Sequence, residues 1–276
     1  MEEYIMEITR TNEVITPEIA TLYLIKNYKN RRPSKNRVLF YAREMREGRW
    51  QYNGDSIRFD SNGYLRDGQH RLAACVKTGI PIVCDVIRGL PPECFETVDQ
   101  GKGRTVTDFF DMDDIPNSSC VSSIIQKFCK LKATGKAVIS SVGGREKFMS
   151  VHELKDIYWK DADKYQDIVK MAAKCEAKRK IFGKSVIGGY IAYLHFTLSH
   201  EIDFIYPFFA MLHGLEKSRS SLCDKFVDMD YNAVKSGQPL SPQYKQTLLI
   251  LCWNDYVKGC KAKSFPRKID DNIFFL

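Results

Sequence analysis

The sequence contains no C-x-x-C pair, no group of cysteines and histidines at metal-ligand spacing, and no apolar run of the roughly 18 residues that a membrane-spanning helix requires. Cysteine itself is not scarce, since nine are scattered from Cys75 to Cys260, most of them among apolar neighbours. Unpatterned thiols in such surroundings belong to a reduced core rather than to a disulfide framework or a zinc module. The N-terminal MEEYIMEITRT carries acids where a secretory leader needs a basic region. The most apolar stretch, SVIGGYIAYLHFTL, is too short to span a bilayer and contains His195. Internal repeats and low-complexity tracts are also missing. These absences point to a cytoplasmic protein with no membrane partner. Histidine is sparse, at five. His152 lies inside a capping box, and His195, His200 and His213 fall on apolar helices without an acid or cysteine at ligand spacing, so they are expected to be core or surface residues.

What is present is a chain of 276 residues with 44% hydrophobic side chains, long enough for one large or two smaller domains. Its net charge of +8 is unevenly placed. Residues 1–115 hold 17 Lys and Arg against 18 Asp and Glu, and residues 116–276 hold 25 against 16. The whole basic excess therefore lies in the second part, which suits either a polyanionic partner such as DNA or a solvated lysine-rich surface.

Periodicity divides the chain in the same way. A strand is expected over Glu3–Thr9. A helix opens at Thr16-Pro17, with Thr as N-cap and Pro at the first helical position, and a second helix runs over Val38–Glu47. Between them, NYKNRRPSKNR reads as a basic turn. Ser56–Asp60 and Tyr64–Arg66 form a hairpin around Asn62-Gly63, followed by a helix over Gln69–Thr78, a strand over Pro81–Val86 and a short helix over Pro91–Val98. After the connector DMDDIPNSS, helices are expected near 119–133, 150–160, 163–180, 185–199, 202–215 and 242–258. Ser150 and Glu153 supply a capping box, and Ser241-Pro242 a helix start. The expected fold class is α+β, with a small mixed-sheet domain over 1–115 and an all-helical, basic domain over 116–276.

The hairpin's second strand runs into LRDGQHRLAA. Gly68 permits a tight turn, and the helix that starts beside it directs free N–H groups and its positive dipole end outward, a geometry that binds anions. Arg71 is placed to grip phosphate oxygens in bidentate fashion and His70 to donate a further hydrogen bond. Asp67 is repulsive beside a phosphate unless a Mg²⁺ ion intervenes or a hydroxyl is to be deprotonated. The plainer alternative is an N-capping Asp67 with His70 and Arg71 as solvated first-turn residues.

The order of these pieces resembles the ParB/sulfiredoxin superfamily over residues 1–115. LFYAREMREGRW, SIRFDSNGYLRDGQHRLAACVKTGIPIVCDVI and VDQGKGRTVTDFF fall in the sequence helix, hairpin, motif helix, strand and Gly-rich loop. More narrowly, the chain is similar to ParB-like proteins of phages and mobile elements, whose helical half ends in a segment like Leu249–Asn254. The resemblance implies an ATP or CTP phosphate site at Gly68, Gln69, His70 and Arg71. It does not fix one activity. Chromosome-partitioning ParB proteins have Arg at the place of His70 and use CTP as a clamp switch. Sulfiredoxins have a catalytic cysteine where this chain has Gln69, which argues against sulfinic-acid reduction. Free-serine kinases of this fold carry the Asp and His matching Asp67 and His70, and DNA-phosphorothioation repressors share the whole D-G-Q-H-R string. The leading expectation is thus a nucleotide-dependent phosphotransferase or NTPase acting on or with DNA, with Asp67 and His70 catalytic and Asp67 the possible Mg²⁺ ligand. The alternatives are a nucleotide-switched DNA-binding regulator or clamp, and a metal-dependent nuclease using Asp67, Asp99 and Asp108.

Three further clusters are candidates. VDQGKGRTVTD offers Asp99, Arg104, Thr105 and Asp108, either as a second phosphate loop or simply as a turn whose Thr105 and Asp108 cap a helix. NRRPSKNR offers Asn36 and Arg37, or else a solvated turn. KCEAKRKIFGK offers Lys178, Arg179, Lys180 and Lys184 to a nucleic acid, or a solvated helix end. Glu44 and Glu47 are expected on a solvent face, and FIYPFFAML is expected to pack in a core.

Overall fold

The structure is a computed structural model that describes residues 7–28, 30, 33–93, 105–134, 149–266 and 274–276. The chain separates into two compact units, one carrying the sheet and one whose described elements are all helices.

In the first unit, β1 (Thr9–Ile15), β2 (Ser56–Asp60), β3 (Leu65–Asp67) and β4 (Ile82–Leu90) form one mixed sheet in the order β1-β4-β2-β3. β4 runs antiparallel to β1, with Thr9 opposite Arg88 and Ile15 opposite Ile82. It runs parallel to β2, with Ser56 opposite Asp85. The tight antiparallel pair β2–β3 turns at Gly63, whose φ of 78° is the left-handed value that an Asn-Gly turn calls for. A parallel neighbour needs a crossover, and α3 (Gln69–Thr78) supplies it between β3 and β4. Helices α1 (Pro17–Ile25) and α2 (Lys35–Arg46) pack on α3, and the core gathers Ile15, Ala42, Met45, Ile57, Phe59, Leu65, Leu72, Cys75, Ile82 and Val86.

Two expectations change here. The first strand begins at Thr9 and extends to Ile15, and residues 3–6 of the expected Glu3–Thr9 strand lie outside the described residues. β1 is an edge strand whose side chains are mostly exposed, so its sequence carries no apolar alternation to reveal it. α2 starts at Lys35, because extended Ser34 occupies the N-cap position directly after Pro33. Lys35, Asn36 and Arg37 are therefore first-turn helical residues and not part of a turn.

The second unit holds α4 (Val106–Asp111), α5 (Ser118–Thr134), α6 (Val151–Lys160), α7 (Ala162–Lys178), α8 (Lys184–Phe196), α9 (Ile202–Leu212), α10 (Ser221–Lys235) and α11 (Pro242–Val257). Phe110 of α4 and Ile115 after it are buried in the helical core, so this unit begins ahead of residue 106. DMDDIPNSS joins α4 to α5 inside it, where Ser118 donates to Asp111. Trp253, Tyr165, Tyr190, Phe208 and Phe226 are fully buried, and the apolar stretch of α9 is core as expected. Among the described residues no helix is long and apolar enough to cross a membrane, and no cysteine is in a disulfide.

Candidate functional site at the start of the motif helix

Gly68 stands between β3 and α3 with φ of 101°, a conformation that side-chain-bearing residues rarely adopt. A Cβ there would lie 3.0 Å from Ile57 Cγ1 and 3.4 Å from Ile57 Cα on the neighbouring strand. Both the turn and the close packing therefore require glycine. The consequence is a helix that starts with no side-chain cap and no acid in its first turn, so its N–H groups keep their capacity for an anion.

Arg71 follows one turn into α3, with its side chain only 8% exposed. Its Nη2 donates to Ser56 O at 2.8 Å and to Asp67 Oδ2 at 3.2 Å, an i,i+4 ion pair with the motif's own acid. Nη1 is buried and finds no acceptor among the described residues. Asp67 also accepts the Gly68 N–H at Oδ1, 2.7 Å away, and its carboxylate remains a third exposed. Asp67 is thus held by a neighbour on each oxygen, and Arg71 supplies the countercharge that a carboxylate at this point needs.

His70 is half-buried, and its Nε2 accepts the backbone N–H of Ser34 at 3.0 Å. An accepting Nε2 is unprotonated, so the neutral ring carries its proton on Nδ1. The same hydrogen bond ties the beginning of α2 to the beginning of α3. α2 also lacks a side-chain cap and a first-turn acid. Two positive helix ends therefore meet at His70, with half-buried Asn36 and exposed Arg37 in the first turn of α2. Arg37 lies over the Tyr41 ring, 5.3 Å from its centroid.

Gln69 is buried, and its Oε1 accepts from Asn27 Nδ2 at 3.0 Å. With its side chain so engaged, its contribution to an anion would be the backbone N–H. Asn30, which no sequence pattern singled out, donates to Leu65 O and Arg66 O and so ties the α1–α2 connection to β3. No family model, curated protein or solved structure matches this chain.

The remaining candidates separate. Asp99 and Arg104 lie outside the described residues. Thr105 caps α4 and Asp108 completes the capping box, its Oδ2 accepting from Thr105 N and 2.9 Å from Thr105 Oγ1. That is the capping alternative for this pair, and both belong to the helical unit. Lys178, Arg179, Lys180 and Lys184 are exposed around the end of α7 and the start of α8. Glu44 departs from its expected solvent face: it is buried, and Arg49 grips both its oxygens, at 2.7 and 3.1 Å. His213 is fully buried, donates Nδ1–H to Arg179 O, and burial pushes its ring below the usual imidazole range. Among the described residues no group of three His, Cys, Asp or Glu side chains is arranged to hold a metal.

Proposed function

We propose that the sheet unit binds ATP or CTP by its phosphates at the β3–α3 junction, and that the protein is a nucleotide-dependent phosphotransferase or NTPase of ParB/sulfiredoxin type acting on or with DNA. The observation that carries this reading is the meeting of two uncapped, acid-free helix starts at His70. In this reading the backbone N–H groups at the starts of α2 and α3 serve one phosphate. The Nη1 of buried Arg71 adds a donor that finds no acceptor among the described residues.

In this reading Gly68 supplies the tight turn, Gln69 and His70 offer backbone N–H groups, and Arg71 offers its charge. His70 Nδ1–H is the side-chain donor, because Nε2 is engaged by Ser34. Asp67 is the acid for metal or proton work. Each of its oxygens accepts one hydrogen bond and retains a further lone pair. A single carboxylate suits Mg²⁺ completed by water and the nucleotide's own phosphates, and such an ion neutralises charge on the transferring phosphoryl group. Without a metal, Asp67 is the group placed to take a proton from a hydroxyl or water.

A second reading, a regulator whose DNA affinity is switched by the nucleotide, is favoured by the basic excess of residues 116–276 and by the exposure of Lys178, Arg179, Lys180 and Lys184. The two separate on Asp67→Asn. For a phosphotransferase or NTPase, the substitution lowers turnover by about 10²- to 10⁴-fold and leaves nucleotide affinity within a few-fold. Phosphate release from each of the four NTPs, with and without DNA, and calorimetric binding are the measurements. Unchanged turnover removes Asp67 from catalysis, and an absence of NTP binding by the wild-type protein removes the whole reading.

A further inference from the structure

The mixed sheet packs one face on its helices through Ile15, Ile57, Phe59, Leu65, Ile82 and Val86. Alternation turns Arg10 of β1, Ser56, Arg58 and Asp60 of β2, and Asp85 of β4 to the other face. The β2–β3 ladder breaks this alternation once. It steps from Phe59 opposite Leu65 to Arg58 opposite Asp67, which makes Arg66 the extra residue of a bulge. Without the bulge Asp67 would share the core face with Leu65, and with it Asp67 comes opposite Arg58.

The acids around Arg58 already have their cations. Arg10, with Asn12 and Tyr52, holds Asp85. Arg66 holds Asp60, which also accepts the Asn62 and Tyr64 N–H groups. Arg71 holds Asp67 at 3.2 Å. Arg58 has no such partner: its Nε donates to the neutral Ser56 Oγ at 2.9 Å, and neither Nη makes a hydrogen bond or ion pair among the described residues. The side chain is half-buried, so its charge stays within reach of a ligand.

Ser56 brings two arginines together. Its carbonyl accepts from Arg71 Nη2 at 2.8 Å and its hydroxyl from Arg58 Nε at 2.9 Å. Arg71 Nη1 is buried without an acceptor among the described residues. Two guanidinium groups with spare donors thus flank one residue, and such forks suit phosphate oxygens. In the nucleotide reading the starts of α2 and α3 serve one phosphate. Arg58 stands on β2, across the ladder from Asp67, and on neither helix start. The phosphate that takes part in transfer is the terminal one, and Asp67 is the acid for metal or proton work. The unpaired cation opposite Asp67 therefore goes with the terminal phosphate.

We propose that Arg58 grips the terminal phosphate of a nucleoside triphosphate and so distinguishes triphosphate from diphosphate at the β3–α3 site. This rests on the nucleotide reading and names the residue that selects its substrate class. The experiment uses the full chain with Mg²⁺ and calorimetric titration of ADP and of the imido analogue of ATP, which resists hydrolysis. Arg58→Gln keeps an amide for Ser56 and removes the charge. It is expected to weaken the ATP analogue by about tenfold to a hundredfold, as loss of a charge-assisted hydrogen bond does, and to leave ADP affinity within a few-fold. Arg58→Lys keeps the charge without the fork and is expected to fall between the two. An equal loss for both nucleotides, or no loss for either, overturns the role of Arg58 while the nucleotide reading stands. Binding of neither nucleotide by the wild-type protein overturns both.

Arginine modification of the wild-type protein by phenylglyoxal, read by mass spectrometry, does not depend on the variants folding. Arg58 is expected to react faster than Arg66, whose guanidinium Asp60 holds. The ATP analogue is expected to protect Arg58, and ADP is not. Equal protection by the two overturns the terminal-phosphate assignment, and so does an unprotected Arg58 when calorimetry shows the analogue bound.

Discussion

At the scale of single residues, Gly68 carries the most consequence, because the proposed anion site begins with its backbone. Gly68→Ala would place a side chain at φ of 101° and against Ile57 at 3.0 Å. A left-handed conformation costs a non-glycine residue about 1–2 kcal/mol before any packing penalty. The denaturation midpoint of the sheet unit is expected to fall accordingly, and nucleotide affinity with it. Acid sensitivity is also a residue-scale property here. The Arg88 guanidinium, with help from Thr11 and Tyr23, holds Glu13 down at about 2. Asn12, Arg10 and Tyr52 hold Asp85 at about 2 as well. In the unfolded chain these carboxylates take up protons near their ordinary values of 4.5 and 3.8, so the unfolded state binds more protons throughout the interval below. Their stabilisation is complete above about pH 4.5 and is lost as pH falls towards 2. Thermal melts through that window are expected to show a shallower loss for Glu13→Gln than for wild type, and a parallel pair of curves would contradict the assignment.

At the scale of elements, the caps divide what belongs to structure from what belongs to chemistry. Thr105 was a candidate for phosphate, but its hydroxyl accepts the Asp108 N–H and begins α4. Thr105→Ala is therefore expected to cost about 1 kcal/mol of helical-unit stability and to leave nucleotide affinity unchanged. A tenfold loss of ATP affinity in a stably folded Thr105→Ala protein would restore its phosphate role. Local signals of this type were legible in the sequence: the Thr16-Pro17 start, the Ser150–Glu153 box, the Asn-Gly hairpin and the Gly68 to Gly79 span of α3 all stand where side-chain chemistry places them. Elements whose identity depends on tertiary partners were not. β1 is written TRTNEVI and becomes a strand only because β4 offers it a ladder. α10 has buried Leu222, Cys223 and Phe226 in its first half, but then turns the acid Asp230 inward to meet Lys245 of α11. That interruption of the apolar stripe hides the helix. The convergence of α2 and α3 at His70 is likewise invisible in the chain, since Ser34 and His70 lie 36 residues apart.

At the scale of the whole molecule, the sheet unit and the helical unit each enclose a separate core. Each has its own reason to unfold, so a single cooperative transition is not required. A ligand stabilises what binds it by RT ln(1 + [L]/Kd), about 2.7 kcal/mol at a hundredfold excess over Kd. ATP with Mg²⁺ is therefore expected to raise the melting of the sheet unit and to leave that of the helical unit where it was. Tryptophan reports the two separately: Trp50 packs against the sheet-unit core, whereas Trp159 and Trp253 belong to the helical unit. Subtracting the fluorescence melt of Trp50→Phe from that of the wild type isolates the first transition. Nucleotide should move that difference signal upward, and a DNA duplex should move the Trp159 and Trp253 signal instead. If ATP shifts the helical transition and not the Trp50 signal, the nucleotide site lies in the wrong unit, and the convergence of helix starts at His70 serves only to hold α2 against α3.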